Sequence, residues 1–97
     1  MIEVTYSNNR ISIKGHADSE VKGKDLVCAA VSSLIISVTN SLTGFNKNEI
    51  RSKSGEVTIN SKHKISKEDQ IRLEVLLNGL KLIAKKYPKY IKIKKEK

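Results

Sequence analysis

The sequence predicts an α+β domain of order ββαββαβ, a small mixed or antiparallel sheet with two helices packed on it. Three observations predict it. Short segments near residues 2–14, 49–60 and 90–94 alternate apolar and polar side chains, the period of a strand with one buried face. Two longer segments, around 26–46 and 66–87, carry apolar residues at helical spacing. Turn residues separate them, and ninety-seven residues leave room for one core, hence a single domain over 1–97.

Ile2, Val4 and Tyr6 alternate with Glu3 and Thr5, and Ile11 and Ile13 flank Ser12. Ser7-Asn8-Asn9-Arg10 between them makes residues 2–16 a hairpin. A polar stretch with a glycine near each end, Gly15 and Gly23, reads as a mobile loop. Asp25 then stands where an N-cap belongs. Val31, Leu34, Ile35, Val38, Leu42 and Phe45 share one arc of about 100°, a core-facing stripe, and Gly44 is the expected stop. Glu49–Arg51 and Glu56–Asn60 form a second hairpin across Lys53-Ser54-Gly55. Ser66-Lys67-Glu68-Asp69 reads as a capping box with Asp in place of Glu or Gln. Its helix packs Leu73, Leu76, Leu77, Leu80, Ile83, Ala84 and Tyr87 on one face and stops at Pro88. Residues 90–94 alternate again as a fifth strand.

Leu26 to Asn46 holds no charged residue, yet the hydroxyl and amide side chains scattered through it exclude a membrane span. It reads instead as a helix buried on more than one side. Ile71, Val75 and Leu82 lie opposite the main stripe of the second helix. They are either scattered surface aliphatics or a contact stripe, for the first helix or for a second subunit of a homodimer.

The formal net charge of +9 is unevenly spread: residues 81–97 hold eight lysines against Glu96 alone. A Lys-rich end could bind phosphate, which keeps open a non-enzymatic ribosome- or RNA-associated binding protein. Arginine is scarce and Tyr87 and Tyr90 are the only aromatics there, so the preferred reading is a solvated tail without direct RNA contact, dispensable from Lys94 onward. One cysteine excludes an internal disulfide and a thiolate metal cluster. With no signal peptide at the N-terminus, the chain reads as cytoplasmic, with no membrane partner.

The chemistry centres on that cysteine. Cys28 falls in the first turn of the first helix, where unpaired N–H groups and the macrodipole favour an anion. His16 ends the second strand, and the loop after it can fold back to the helix start. A thiol beside an imidazole, with backbone amides for an oxyanion, is the layout of an acyl-transfer site. Each residue has a plainer reading: Cys28 as a small core residue, His16 and His63 as loop histidines, Asp25 as a helix cap.

Read together, Gly15-His16-Ala17 and Gly23-Lys24-Asp25-Leu26-Val27-Cys28-Ala29-Ala30-Val31-Ser32-Ser33-Leu34 strongly resemble the signature of the ribosomal-processing cysteine protease (Prp) family. The twelve-residue step from His16 to Cys28, the element order and the length fit as well. The resemblance implies a homodimeric cysteine endopeptidase without metal or cofactor. It would remove the N-terminal extension of a large-subunit ribosomal protein, cutting after an aromatic residue. It further implies Cys28 as nucleophile, with its backbone amide among the oxyanion donors, and His16 as general base and acid. Asp25 would be an accessory positioning residue, and Gly15 and Gly23 the loop hinges. The loop residues Asp18-Ser19-Glu20-Val21-Lys22 depart from the family's small and aromatic residues, which touches the substrate contacts rather than the dyad.

Overall fold

Alternation in the strands decides the layers. A computed structural model of the protein describes residues 1–15, 24–53 and 55–96, with Lys24 and Asp25 described by their backbone only. The elements are β1 (Ile2–Tyr6), β2 (Arg10–Lys14), α1 (Lys24–Ser41), β3 (Ile50–Lys53), β4 (Glu56–Asn60), α2 (Lys67–Lys86) and β5 (Ile91–Lys95). They form a five-stranded sheet of order β3-β4-β2-β1-β5, antiparallel except for the parallel β1–β5 pair. This is the mixed α+β sheet that the sequence predicts.

Two crossovers place the helices. β2–α1–β3 steps outward past β4, and β4–α2–β5 steps the other way past β2 and β1. Because β2 and β4 are antiparallel, two right-handed crossovers in opposite directions put both helices on the same face. That face is apolar by register: Val4 stands between Ile13 and Ile93, and Ile59 between Ile11 and Ile50. Ile2, Val4, Ile11, Ile13, Ile59 and Ile91 are buried there against Val27, Val31, Ile35 and Val38 of α1 and Leu76 and Leu80 of α2. The other face carries a row of alternating charge, Lys92, Glu3, Lys14, Glu56 and Lys53, with Lys14 Nζ 3.8 Å from Glu56 Oε1. Opposite charges directly across a sheet support that register.

Several details differ from the sequence reading. α1 (Lys24–Ser41) already includes Asp25, which is therefore not its N-cap. A cap preference of about 1 kcal/mol is weak, and Lys enters a helix readily. α1 ends at Ser41, before Gly44, where the hydroxyls of Thr39 and Ser41 donate to the carbonyls of Ile35 and Val38 at 2.8 and 2.7 Å. It is buried on one side only: Leu26 is 68% and Ile36 58% exposed, because a charge-free stretch rich in serine is not an apolar one. Ile71, Val75 and Leu82 are exposed too. The helices touch where Leu34 packs against Gly79, close enough that a Cβ on residue 79 would strike the leucine side chain. None of the described helices is long and apolar enough to cross a membrane.

The Lys-rich end is not a free tail. Lys94 and Lys95 continue β5 opposite Thr5 and Tyr6, the Glu96 amide donates to the Tyr6 carbonyl at 2.7 Å, and Arg10 lies 3.3 Å from the Glu96 carboxylate. A strand lasts as long as its backbone partner does, whatever its side-chain pattern. β3 likewise starts and ends later than expected, at Ile50 and Lys53.

Two buried carboxylates tie the connections. Ser66 caps α2, its hydroxyl accepting from the Asp69 amide at 3.2 Å. The reciprocal half of the capping box is not made. The Asp69 carboxylate, with its side chain 1% exposed, instead accepts from the amides of Thr43 and Gly44 at 3.1 and 2.9 Å and from Arg72 at 2.7 Å. It thereby bolts the end of α1 to the start of α2. Glu49, equally buried, accepts from the Lys62 amide at 2.7 Å and the Asn46 amide at 3.2 Å, and lies 2.7 Å from His63 Nδ1. His63 is therefore pinned, with Phe45 edge-on to its ring.

Burial opposes the charge on Asp69, but the Gly44 and Thr43 amides and Arg72 outweigh it and hold the carboxyl below its ordinary value of 3.8. The Lys62 amide, followed by Asn46 and His63, does the same for Glu49 below 4.5, against burial. A carboxyl depressed by folding contributes stability above its unfolded pKa and loses it as pH falls through the folded one. The melting temperature should therefore be flat in this respect above about pH 5 and fall progressively below it. Asp69→Asn, which loses acceptors for buried donors, should melt about 5–15 °C lower at pH 7 and lose less on further acidification, measured by circular dichroism.

Candidate active site

Cys28 sits one turn into α1 on a face where helix and sheet do not close together. Val27 and Val31 are driven into the core, and Cys28, beside them on the wheel, is half-buried at the boundary. It lines a groove of about 350 Å³ whose floor is Ile2, Ile13 and Val57, on three adjacent strands. Val31 and Ile35 form the α1 wall, and Ser52 and Lys53 of β3 contribute on the far side. The chemistry offered is one thiol in an apolar, open trough. Among the described residues, no group of three His, Cys, Asp or Glu side chains could hold a metal ion.

Gly15 lines the same groove. Its φ of +121° is one that side chains rarely adopt, and a Cβ there would strike the Met1 carbonyl. Its amide donates to the Gly55 carbonyl at 2.9 Å, closing β2 onto the turn before β4. Glycine at 15 is thus required by backbone geometry. His16, Ala17 and Gly23 lie outside the described residues, as does the side chain of Asp25.

The earlier start of α1 bears on the oxyanion donors. In a helix beginning at Lys24, the Cys28 amide is i+4 to the Lys24 carbonyl and enters the helical ladder. The amides without a helical acceptor belong to the turn before it. Cys28 can serve an oxyanion only by sharing its hydrogen, as amides at helix termini commonly do.

The groove floor was invisible to sequence reasoning as a functional surface. Alternation shows that Ile2, Ile13 and Val57 face inward, but cannot show that Val57 stays half-buried while Ile2 and Ile13, themselves buried, border the same groove. A larger groove, of about 440 Å³, lies at the opposite end of the sheet between the β1–β2 turn and α2, and holds no thiol.

Known proteins resemble the chain along nearly its whole length. Residues 1–92 match the model of the family described as cysteine protease Prp. The ribosomal processing cysteine protease Prp of Mycoplasma pneumoniae is 33% identical over 96 residues, covering 94% of this chain and 91% of the relative. That of Mycoplasma genitalium is 31% identical over 99 residues, covering 99% and 97%. The crystal structure of an essential ribosomal processing protease Prp from S. aureus, in complex with a covalently linked product peptide, superposes with a TM-score of 0.86. It is 26% identical and covers 99% of this chain and all of that one. With its family model matched along nearly its whole length and its one thiol opening onto a groove, the chain belongs to the cysteine protease Prp family.

Proposed function

We propose that the protein is a ribosomal-processing cysteine endopeptidase of the cytoplasm that removes the N-terminal extension of a large-subunit ribosomal protein, cutting after an aromatic residue. Cys28 is the nucleophile and His16 the general base and acid. The observation that carries this is that Cys28 and Gly15 line one groove. His16 is the next residue in the sequence after Gly15 of that groove. The apolar floor of Ile2, Ile13 and Val57 suits an aromatic side chain next to the scissile bond. The names of the relatives supply the ribosomal substrate class.

His16 takes the Cys28 proton, and the thiolate attacks the scissile carbonyl, whose oxygen becomes negative. Amides of the first turn of α1, with that of Cys28 sharing its helical bond, stabilise this oxyanion. His16 then protonates the leaving amine, the C–N bond breaks, and a thioester to Cys28 remains. Water, deprotonated by His16, attacks the thioester and regenerates the thiol as the new carboxyl terminus leaves. Asp25 positions the site from the first turn of α1, and Gly15 and Gly23 act as hinges of the loop that admits the peptide.

The protein is expected to act as a homodimer, with the exposed Leu26, Ile36, Ile71, Val75 and Leu82 supplying apolar surface for a two-fold contact. Light scattering at micromolar concentration should give twice the chain mass, and a monomer mass would refute this.

The decisive assay is mass spectrometry of a synthetic peptide of the cognate extension. Wild type should cut one bond, just after an aromatic residue. Cys28→Ala and His16→Ala should not cut, and iodoacetamide should abolish cleavage as it modifies Cys28. Cleavage that persists in Cys28→Ala would point to a contaminant, and an intact peptide with wild type would favour a binding role. Asp25→Asn should lower turnover while the melting temperature barely moves, because Asn has nearly the size and helix propensity of Asp and the charge it removes in the first turn of a helix contributes only about 0.3–1 kcal/mol. Unchanged turnover would return Asp25 to a purely structural part.

A further inference from the structure

The free side of β3 has the hydrogen-bonding pattern of a peptide-docking edge. Asn60 donates its amide to the Glu49 carbonyl at 2.7 Å, and the two residues continue the register in which Ile50 faces Ile59. Residues 49 and 60 are therefore a hydrogen-bonded pair. Antiparallel pairs alternate, so Arg51 and Lys53 turn their backbone groups toward β4, while Ile50 and Ser52 turn theirs away from it. Among the described residues, no strand lies beyond β3. Ser52 faces Val57 across the pair, on the helix side of the sheet, and both line the groove of Cys28.

Both edges of the sheet carry cations, Lys92, Lys94 and Lys95 on β5 and Arg51 and Lys53 on β3, a guard against indiscriminate strand addition, but only β3 lines the groove of Cys28. On β3 the cations stand on the residues whose backbone groups already pair with β4, and the two residues with outward backbone groups are uncharged. α1 stops short of covering this side, leaving Ile36 exposed above the groove.

We propose that β3 is the edge on which the substrate docks, an extended stretch of the peptide adding as a sixth strand through the backbone of Ile50 and Ser52. This rests on the proteolytic reading above and extends it to how the chain to be cut is held. The occupant is an extended peptide because a strand edge recognises backbone, with the groove selecting one side chain. Backbone pairing makes the site tolerant of sequence around the bond, and leaves selectivity to the residue seated over Ile2, Ile13 and Val57.

Ser52→Pro tests this. It removes an outward amide while sparing the bonds to β4, a substitution that an edge strand accommodates. Cleavage of the extension peptide should fall about three- to tenfold in kcat/KM, the worth of one backbone hydrogen bond. Ser52→Ala, which keeps the amide, should lose less. Hydrogen exchange in Cys28→Ala gives a readout independent of the proline variant's folding: saturating peptide should slow exchange of the Ile50 and Ser52 amides at least about tenfold. Unchanged exchange at both, or equal cleavage by Ser52→Pro and wild type, overturns the docking edge. Protection that rises with protein concentration and not with peptide would assign the edge to a second copy and likewise overturn it. A wild-type protein that cuts no extension peptide defeats the substrate reading instead, a different result from an edge that fails while cleavage persists.

Discussion

The Asp69 carboxylate is the contact on which the arrangement of both helices turns. It is buried with four donors, the Thr43 and Gly44 amides and the Thr43 hydroxyl from the chain leaving α1, and one guanidinium from α2 itself. A buried carboxylate with fewer partners would be a liability; with these it is a clamp. It fixes where α1 ends relative to where α2 begins. The close contact of Leu34 with Gly79 then sets how near the two axes can lie. Once α2 is seated over the β4-to-β5 side by its crossover, α1 has one place left, and Cys28 goes with it.

That placement leaves a gap as well as a core. Four strand spacings of about 4.8 Å make a sheet wider than two helices about 10 Å apart can cover tightly. The loose margin falls on the side of β3 and β4, where α1 lies. The groove is thus a consequence of covering five strands with two helices. A thiol on the margin of α1 faces apolar floor and open solvent together.

Charge is arranged by the same geometry. Of the lysines of the C-terminal end, Lys81, Lys85 and Lys86 lie on α2, with Lys81 5.2 Å from the Tyr6 ring centroid, and Lys92, Lys94 and Lys95 lie on β5. The last three stand on one edge of the sheet and are held to β1 by backbone pairing. The basicity belongs to a structural margin, which removes the main support for a phosphate-binding tail separate from the fold.

Much of this was legible in the residues. Two-residue and 3.6-residue periods gave the seven elements and their order, since each period follows from which backbone leaves which side chain facing inward. The Gly-His-Ala block and the spacing to Cys28 carried the family, because a signature block is a local pattern. What the residues left open was whatever depends on partners distant in the chain. Asp69 looked like half of a capping box and proved to be a clamp for residues 43 and 44. Glu49 looked like a strand residue and proved to be the buried partner of His63. Lys94 and Lys95 looked like part of a free tail; their side chains are exposed, and their backbone forms rungs opposite β1. A side chain's period tells which way it faces; only the packed structure decides what stands there to meet it.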